Sequence, residues 1–198
     1  MNRFNRRTFL AASLSAPVVS SLPAAALTPR SARGLVDKVV KEINKIISSG
    51  RSENQMISDF EQLFTDFGDV DLIARYTLGV EARSMTASEI TKYSRVFQGY
   101  MARKYGKRFR EFIGGSVIVR SAKEVKSWVD VTTTAQLADS APFEVVFSVS
   151  DRTGTDKFFN MYIEGVNLLL SERTEILAML DRRKGKVDRL IQDLAKAG

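Results

Sequence analysis

The chain has 198 residues, of which 44% are hydrophobic and 27% are charged, a balance that is typical of one folded domain. It contains no cysteine and no histidine, which excludes disulfide bonds, Cys/His zinc sites and catalysis by a thiol or an imidazole. The formal net charge is +7, but the one dense basic cluster, RRKGK at residues 182–186, indicates a solvated junction between helices rather than a nucleic-acid site.

The first 26 residues predict a cleavable export signal. Basic residues precede a mildly apolar run, and the alanines at 24–26 provide small side chains for cleavage. Arg6 and Arg7 resemble the pair that the twin-arginine exporter reads, but the segment is also compatible with an ordinary Sec signal. Removing the segment leaves a single domain of residues 27–198 and, because three arginines and no acidic residue are lost, lowers the net charge to +4.

Apolar residues at helical spacing predict four helices in the first half of this domain. They cover residues 31–48, 52–67, 70–78 and 86–112. The second and the fourth begin at capping boxes of the Ser-x-x-Gln and Thr-x-x-Glu type, and glycines follow the first, the second and the fourth.

Beyond residue 115 the apolar period changes from helical to two, which predicts strands. Four strands are indicated, around residues 117–120, 128–133, 143–149 and 159–163. Helical spacing then returns and predicts two last helices, over 168–180 and 187–194.

Helices first, a meander of strands next and helices last predict an α+β fold. The antiparallel sheet, of four to five strands, would bury one face under the N- and C-terminal helices. The large apolar side chains of both layers could interdigitate as a solid core or could leave a cavity between the layers, and periodicity alone does not choose between them.

The sequence contains YIEGVNL at residues 162–168, LIARYTLG at 72–79 and RKYGKRFREFIGG at 103–115. Together these three stretches resemble the MlaC family of periplasmic phospholipid-binding proteins, also described as toluene-tolerance proteins. YIEGVNL at residues 162–168 is similar to the family's IEGVSL segment, and Arg173 follows at the expected spacing. LIARYTLG at 72–79 is similar to the pattern F-x-x-MA-x-x-x-LG, and RKYGKRFREFIGG at 103–115 is the third stretch. The chain departs from the family at 171–173, where Ser-Glu-Arg replaces a commoner Asn-Tyr-Arg, and no tryptophan follows the Leu-Gly pair.

The resemblance implies a carrier that moves phospholipid across the periplasm between the outer and inner membranes, in a system that maintains outer-membrane lipid asymmetry. It implies as partners an inner-membrane ABC transporter with an MCE-domain protein and an outer-membrane lipoprotein–porin complex. It implies a monomer without cofactor, metal or nucleic acid, whose cargo is the phospholipid itself.

Carrying a phospholipid requires a deep apolar cavity. Two tails of about fifteen methylenes each, at ~0.8 kcal/mol per methylene, would cost on the order of 20 kcal/mol to expose to water. The resemblance therefore favours a cavity over a solid core. The lipid-binding candidates that follow from it are the inward residues of the predicted sheet, Phe143, Val145, Phe147, Phe159, Met161 and Ile163, and the helical aromatic residues Tyr76, Phe97 and Tyr100.

Each of these candidates has an alternative role as plain core, because a pocket wall and a core share one composition. Arg173 either forms a structural ion pair or lies near the lipid headgroup.

Two other functions are open on the sequence. A hydrolase would need a serine–lysine pair or paired carboxylates, but the acidic residues of the predicted strands form no recognisable catalytic motif, so an enzyme is disfavoured. An adaptor that binds no lipid and bridges membrane complexes is the second alternative.

We expect export to depend on Arg6 and Arg7 if the segment is a twin-arginine signal. Replacing both with lysine keeps the charge that a Sec signal needs but removes the pair that the other exporter reads, so the precursor should accumulate in the cytoplasm. Immunoblots of cytoplasmic and periplasmic fractions measure this. Undiminished export of the double-lysine variant would remove the twin-arginine assignment.

Overall fold

A computed structural model describes residues 26–138 and 140–198 of the chain. The predicted export signal, with Arg6 and Arg7, lies outside the described residues apart from its last position. The described part contains six α-helices and one five-stranded antiparallel sheet, which confirms the α+β prediction.

The first half of the described chain is helical, as predicted. Its helices are α1 (Pro29–Ile47), α2 (Glu53–Phe67), α3 (Val70–Leu78) and α4 (Ala87–Gly106). Thr28, Ser52 and Thr86 each form a capping box with the residue three positions later, which satisfies backbone groups at the starts of α1, α2 and α4. A 3₁₀ helix, Gly79–Arg83, follows α3.

The predicted fourth helix is too long. The α-helical part ends at Gly106, and Lys107–Phe112 form a 3₁₀ helix instead. Side chains three positions apart eclipse in a 3₁₀ helix, so Phe109 and Phe112 lie on one side of it, with ring centroids 6.4 Å apart. The tighter winding thus directs both rings towards the same part of the core.

The strands follow in simple sequential order. They are β1 (Ser116–Val125), β2 (Trp128–Gln136), β3 (Phe143–Ser150), β4 (Lys157–Ile163) and β5 (Val166–Asn167), and each pairs antiparallel with the next. Burial alternates along β2, as the period of two predicts. Its inward face consists of Val129, Val131, Thr133 and Ala135.

A tight β-hairpin connects β4 to β5. Ile163 pairs with Val166, so Glu164 and Gly165 form a two-residue loop, with φ of +49° and +80°. Positive φ at both positions is the mark of a type I′ turn, which glycine favours. The helix α5 (Leu168–Arg182) starts directly after β5, where the Asn167 side chain accepts a hydrogen bond from the Leu170 amide.

The helices cover one face of the sheet. α1 lies across β1 and β2, α2 packs against α4, and α3 contacts both α4 and α5. The last helix, α6 (Val187–Leu194), contacts α4 and α5, and every residue of the basic cluster at 182–186 before it is exposed. Among the described helices, none combines the length and the apolar composition that crossing a membrane requires.

One asparagine joins α1 to the edge of the sheet. The Asn44 Nδ2 donates to the Val117 carbonyl, and the Val117 amide donates to the Asn44 Oδ1, both at 2.9 Å. The side-chain amide therefore takes the place of a neighbouring strand for this residue of β1.

Replacing Asn44 with alanine should lower the free energy of unfolding by about 2 kcal/mol, because two part-buried hydrogen bonds are lost and a strand amide is left without its partner. Asn54→Ala is the matched control, since Asn54 is exposed on α2. Urea unfolding followed by circular dichroism measures both. An equal, small effect of the two changes would contradict the proposed joining role.

Candidate ligand-binding site

Five of the predicted lipid-binding residues share the covered face of the sheet. Val145 pairs directly with Ile163, and Phe147 with Met161, across β3 and β4. Phe143 lies on the same face of β3 two positions before Val145. Phe147 and Val145 are buried, whereas Phe143, Met161 and Ile163 are half-buried, so this face becomes more accessible towards the end of the sheet where β3 begins and β4 ends.

Phe159 is not on this face, which corrects the prediction. The pairing of β3 with β4 passes from Ser148–Asn160 directly to Val149–Phe158, so Phe159 is the extra residue of a β-bulge. Its ring instead contacts Trp128 edge to face, at 6.1 Å, on the opposite side of the sheet. Phe158 takes the inward position and is 3% exposed. The sequence pattern could not reveal this bulge, because Phe158 and Phe159 are identical and either could take the inward position.

Seven phenylalanines fill the space between the sheet and the helices. Consecutive ring centroids lie 5.4–6.4 Å apart, in a chain of contacts that starts and ends on β3. In order of contact, this phenylalanine cluster consists of Phe143, Phe112, Phe109, Phe60, Phe64, Phe158 and Phe147. Apolar spacing had placed Phe60, Phe64, Phe109 and Phe112 on helical stripes, but it could not show that they meet the sheet here.

The two helical candidates on α4 belong to a separate cluster. Phe97 stacks with Tyr93 at 5.8 Å and contacts Tyr100 at 6.2 Å, and all three are almost fully buried. The hydroxyls of Tyr93 and Thr77 share a hydrogen bond of 3.0 Å, and burial raises the pKa of Tyr93. This cluster holds α4 against α3.

An ion pair between the half-buried Lys104 and the buried Glu172 joins α4 to α5. The Lys104 Nζ lies 2.7 Å from the Oε1 of Glu172, whose side chain is 2% exposed, and 2.5 Å from the Oε2 of Glu175. Tyr105 donates a second hydrogen bond to the Oε1 of Glu172, and Tyr100 donates to Glu175 at 3.0 Å. No contact with these charged groups was predicted, because Lys104 and Glu172 are 68 positions apart. The available signal was the position of Glu172 on the apolar stripe of α5, in line with Ile176 and Leu180.

The network shifts the ionisation of its members. Burial, and then the negative charge and hydrogen bonding of the neighbouring glutamates, raise the pKa values of Tyr100 and Tyr105, so both remain neutral donors. Burial alone would lower the pKa of Lys104, but its hydrogen bonds to Glu172 and Glu175 outweigh that effect and raise it. The Oε2 of Glu172 is buried without a hydrogen-bond partner within the described residues, so this carboxylate depends on Lys104 and Tyr105.

The remaining two candidates, Tyr76 and Arg173, contact each other at the surface. The guanidinium of Arg173 lies over the Tyr76 ring at 4.8 Å and donates a hydrogen bond of 2.8 Å to the Tyr76 carbonyl. Gly79, at φ +63°, makes room for it, since an added Cβ would lie 3.0 Å from the guanidinium nitrogen. Arg173 therefore has a structural role in joining α5 to α3, but through an aromatic ring and a carbonyl rather than an ion pair.

The ten predicted residues thus fall in four places: the covered sheet face, the opposite face, the α4 interior and the α3–α5 surface. Two depressions of the described surface, of about 450 and 430 Å³, are open and lined largely by polar side chains of α3, α4 and neighbouring segments, and neither contains a predicted residue. Between sheet and helices the described side chains are packed, and a lipid-filled cavity there stays a prediction. No group of three or more acidic side chains within residues 26–138 and 140–198 is placed to hold a metal ion.

These contacts define an α+β domain with an aromatic layer beneath a sequential antiparallel sheet. The sequence matches the family model described as MlaC protein over residues 35–196, so the chain belongs to the MlaC family. Its fold is similar to that of a phospholipid-binding protein from Ralstonia solanacearum solved in complex with a phospholipid, with a TM-score of 0.72 over 84% of this chain and 96% of that one. The two share 16% identity, and no curated protein matches this chain in sequence.

Replacing Lys104 with methionine should lower the free energy of unfolding by about 3 kcal/mol, because the buried Glu172 carboxylate loses its counter-ion. Adding Glu172→Met should restore most of that loss, since no unpaired charge then remains. Chemical unfolding of the two single variants and the double variant gives the coupling energy.

The matched control is Lys92→Met, which breaks an exposed pair with Asp188 and should cost less than about 1 kcal/mol. If Lys104→Met costs no more than this control, or if the double variant is as unstable as the sum of the singles, Lys104 does not serve as the counter-ion of Glu172.

Proposed function

We propose that this protein is a periplasmic phospholipid carrier, which binds one diacyl lipid between its sheet and helices and passes it between membranes. Membership of the MlaC family over residues 35–196 is the observation that carries the proposal. The similar fold of the Ralstonia protein, which was solved with a phospholipid, supports it. The proposed partners are an inner-membrane ABC transporter with an MCE-domain protein and an outer-membrane lipoprotein–porin complex.

The phenylalanine cluster is where the acyl tails would enter. Its members contact one another through ring faces and edges, without hydrogen bonds between the side chains, so a methylene chain can replace a ring contact without leaving a polar group unsatisfied. By contrast, separating α4 from α5 would expose the charged pair of Lys104 and Glu172. We therefore infer that separating the sheet from the helices costs less free energy than separating α4 from α5.

A polar contact holds one end of the seam between sheet and helices closed at β4. The Asp69 amide donates a hydrogen bond of 2.8 Å to the Phe158 carbonyl at the start of β4. The Asn44 contact lies at the opposite end but on β1, so it leaves β3 and β4 free there. The half-buried Phe143, Met161 and Ile163 lie at that opposite end of their strands. We infer that the lipid enters there, beside the Glu164–Gly165 turn.

Native mass spectrometry of the protein purified without detergent from the cell envelope tests the proposed cargo. The expected result is one additional mass per chain in the range of a diacyl phospholipid, recovered also by organic extraction. Protein that reproducibly carries no lipid, before and after incubation with phospholipid vesicles, would contradict the carrier and favour an adaptor that bridges membrane complexes.

Met161→Trp should reduce the lipid bound per chain at least severalfold while leaving the melting temperature nearly unchanged, because the larger side chain occupies space that the tails would take. In a solid core the same change would overpack and cost typically about 1–3 kcal/mol. Ile118→Trp is the matched control, since Ile118 is exposed on β1. Lipid extraction and thermal melts measure both variants. A large loss of stability with unchanged lipid content would assign Met161 to the core.

A further inference from the structure

Four large apolar side chains are exposed near one another, where the end of α3, the β4–β5 hairpin and the start of α5 meet. They are Tyr76, Val80, Val166 and Leu170, which are 39%, 64%, 56% and 52% exposed. Of the large apolar residues that are exposed in the described part of the chain, Ile113 and Ile118 alone lie elsewhere. Such clustering of exposed apolar side chains marks a contact surface rather than scattered exposure.

Arg173 holds the two halves of this exposed apolar patch together. It stacks on Tyr76, and the position of Gly79, next to Val80, lies against its guanidinium. Leu170 is three positions earlier on α5 and therefore lies on the same side of the helix as Arg173. Val166 belongs to the short strand that immediately precedes α5. Tyr76 and Val80 thus lie at or just after the end of α3, and Val166 and Leu170 at or just before the start of α5, and Arg173 fixes these two segments relative to each other.

Arginines border the patch and are not neutralised by the protein itself. Arg75 and Arg83 are exposed, and neither they nor Arg173 form a salt bridge within the described residues. Arg83 lies three positions after Val80 in a 3₁₀ helix, where side chains at that spacing eclipse. Two carboxylates also border the patch, the exposed Glu164 in the adjacent turn and the half-buried Glu81 next to Val80. Three arginines against two glutamates leave this border with a small positive excess.

We propose that this patch docks the protein on the surface of an anionic phospholipid bilayer. Exposed aliphatic side chains insert at the boundary between headgroups and acyl chains, a tyrosine ring suits the interface itself, and arginines bind phosphate groups and respond to the negative surface potential. The patch combines unpaired arginines with apolar side chains from separate chain segments. This combination suits a lipid surface, because a bilayer does not need the shape complementarity that a protein partner needs.

The position of the patch fits the proposed carrier function, on which this inference rests. Val166 pairs with Ile163, one of the half-buried residues at the end of the seam where we infer that lipid enters. Docking through the patch would bring this inferred lipid entrance to the bilayer surface. Because four side chains and three charges provide a small contact, the binding is reversible, as a shuttle requires.

Flotation of the purified protein with vesicles tests the docking. Vesicles of phosphatidylglycerol and phosphatidylcholine should bind the wild type, vesicles of phosphatidylcholine alone should bind it weakly, and added salt should reduce the binding. Val80→Ser combined with Leu170→Ser should weaken binding to the anionic vesicles about tenfold. Arg83→Gln, which removes no apolar contact, should weaken it about fivefold.

The matched control combines Ile113→Ser with Ile118→Ser, two residues of similar exposure outside the patch, and should bind as the wild type does. Wild-type protein that does not float with anionic vesicles, or a control that loses binding equally, would overturn the proposal. Patch variants that bind like the wild type would also overturn it and would assign the patch to a protein partner.

Lipid content, measured by mass spectrometry on the same preparations, separates this inference from the carrier function. Protein without bound lipid whose flotation still depends on the patch would contradict the carrier and retain the docking surface. Lipid-loaded protein that does not float would contradict the docking surface and retain the carrier function.

Discussion

The buried pair of Lys104 and Glu172 fixes α5 against α4, and the arrangement of the remaining elements follows from it. With α5 in place, Arg173 reaches Tyr76 on α3, and the amide of Leu169 donates to the buried side-chain oxygen of Asn160 on β4. This hydrogen bond attaches β4 to α5, the helix that follows β5. A charge pair in this position contributes little net stability, but breaking it is costly, so it specifies one geometry.

The contacts between layers divide into two kinds with different consequences. The contacts of α4 with α3 and α5 include hydroxyls and charges whose geometry allows little movement, as at Tyr93 and Thr77 and at Lys104 and Glu172. The sheet meets α2 and the second 3₁₀ helix through phenylalanine rings. Their contacts are weakly directional and can be replaced by contacts with other apolar groups, such as acyl chains. A protein that must hold its shape and also admit a ligand benefits from placing these two kinds of contact in different seams.

The sequence was sufficient for the six α-helices, the first four strands and their order, because capping boxes, glycines and apolar period are local signals. It could not reveal the bulge at Phe159, since Phe158 and Phe159 are chemically identical and the choice between them depends on pairing with β3. It also missed the hairpin at Glu164, a residue that rarely adopts positive φ, and the approach of Lys104 to Glu172. These features are determined by contacts between distant parts of the chain. The same limit explains why ten candidates chosen by local pattern lie in four separate places.

The sequential order of the strands has a consequence for how the chain folds. Each strand pairs with its neighbour in sequence, so the sheet forms by closing short loops, which costs little entropy and is fast. The contact of Asn44 with Val117 instead closes a separation of 73 positions. Docking of α1 on a preformed meander is therefore the late event in folding, and until it occurs the apolar face of β1 and β2 is open to water and to other chains.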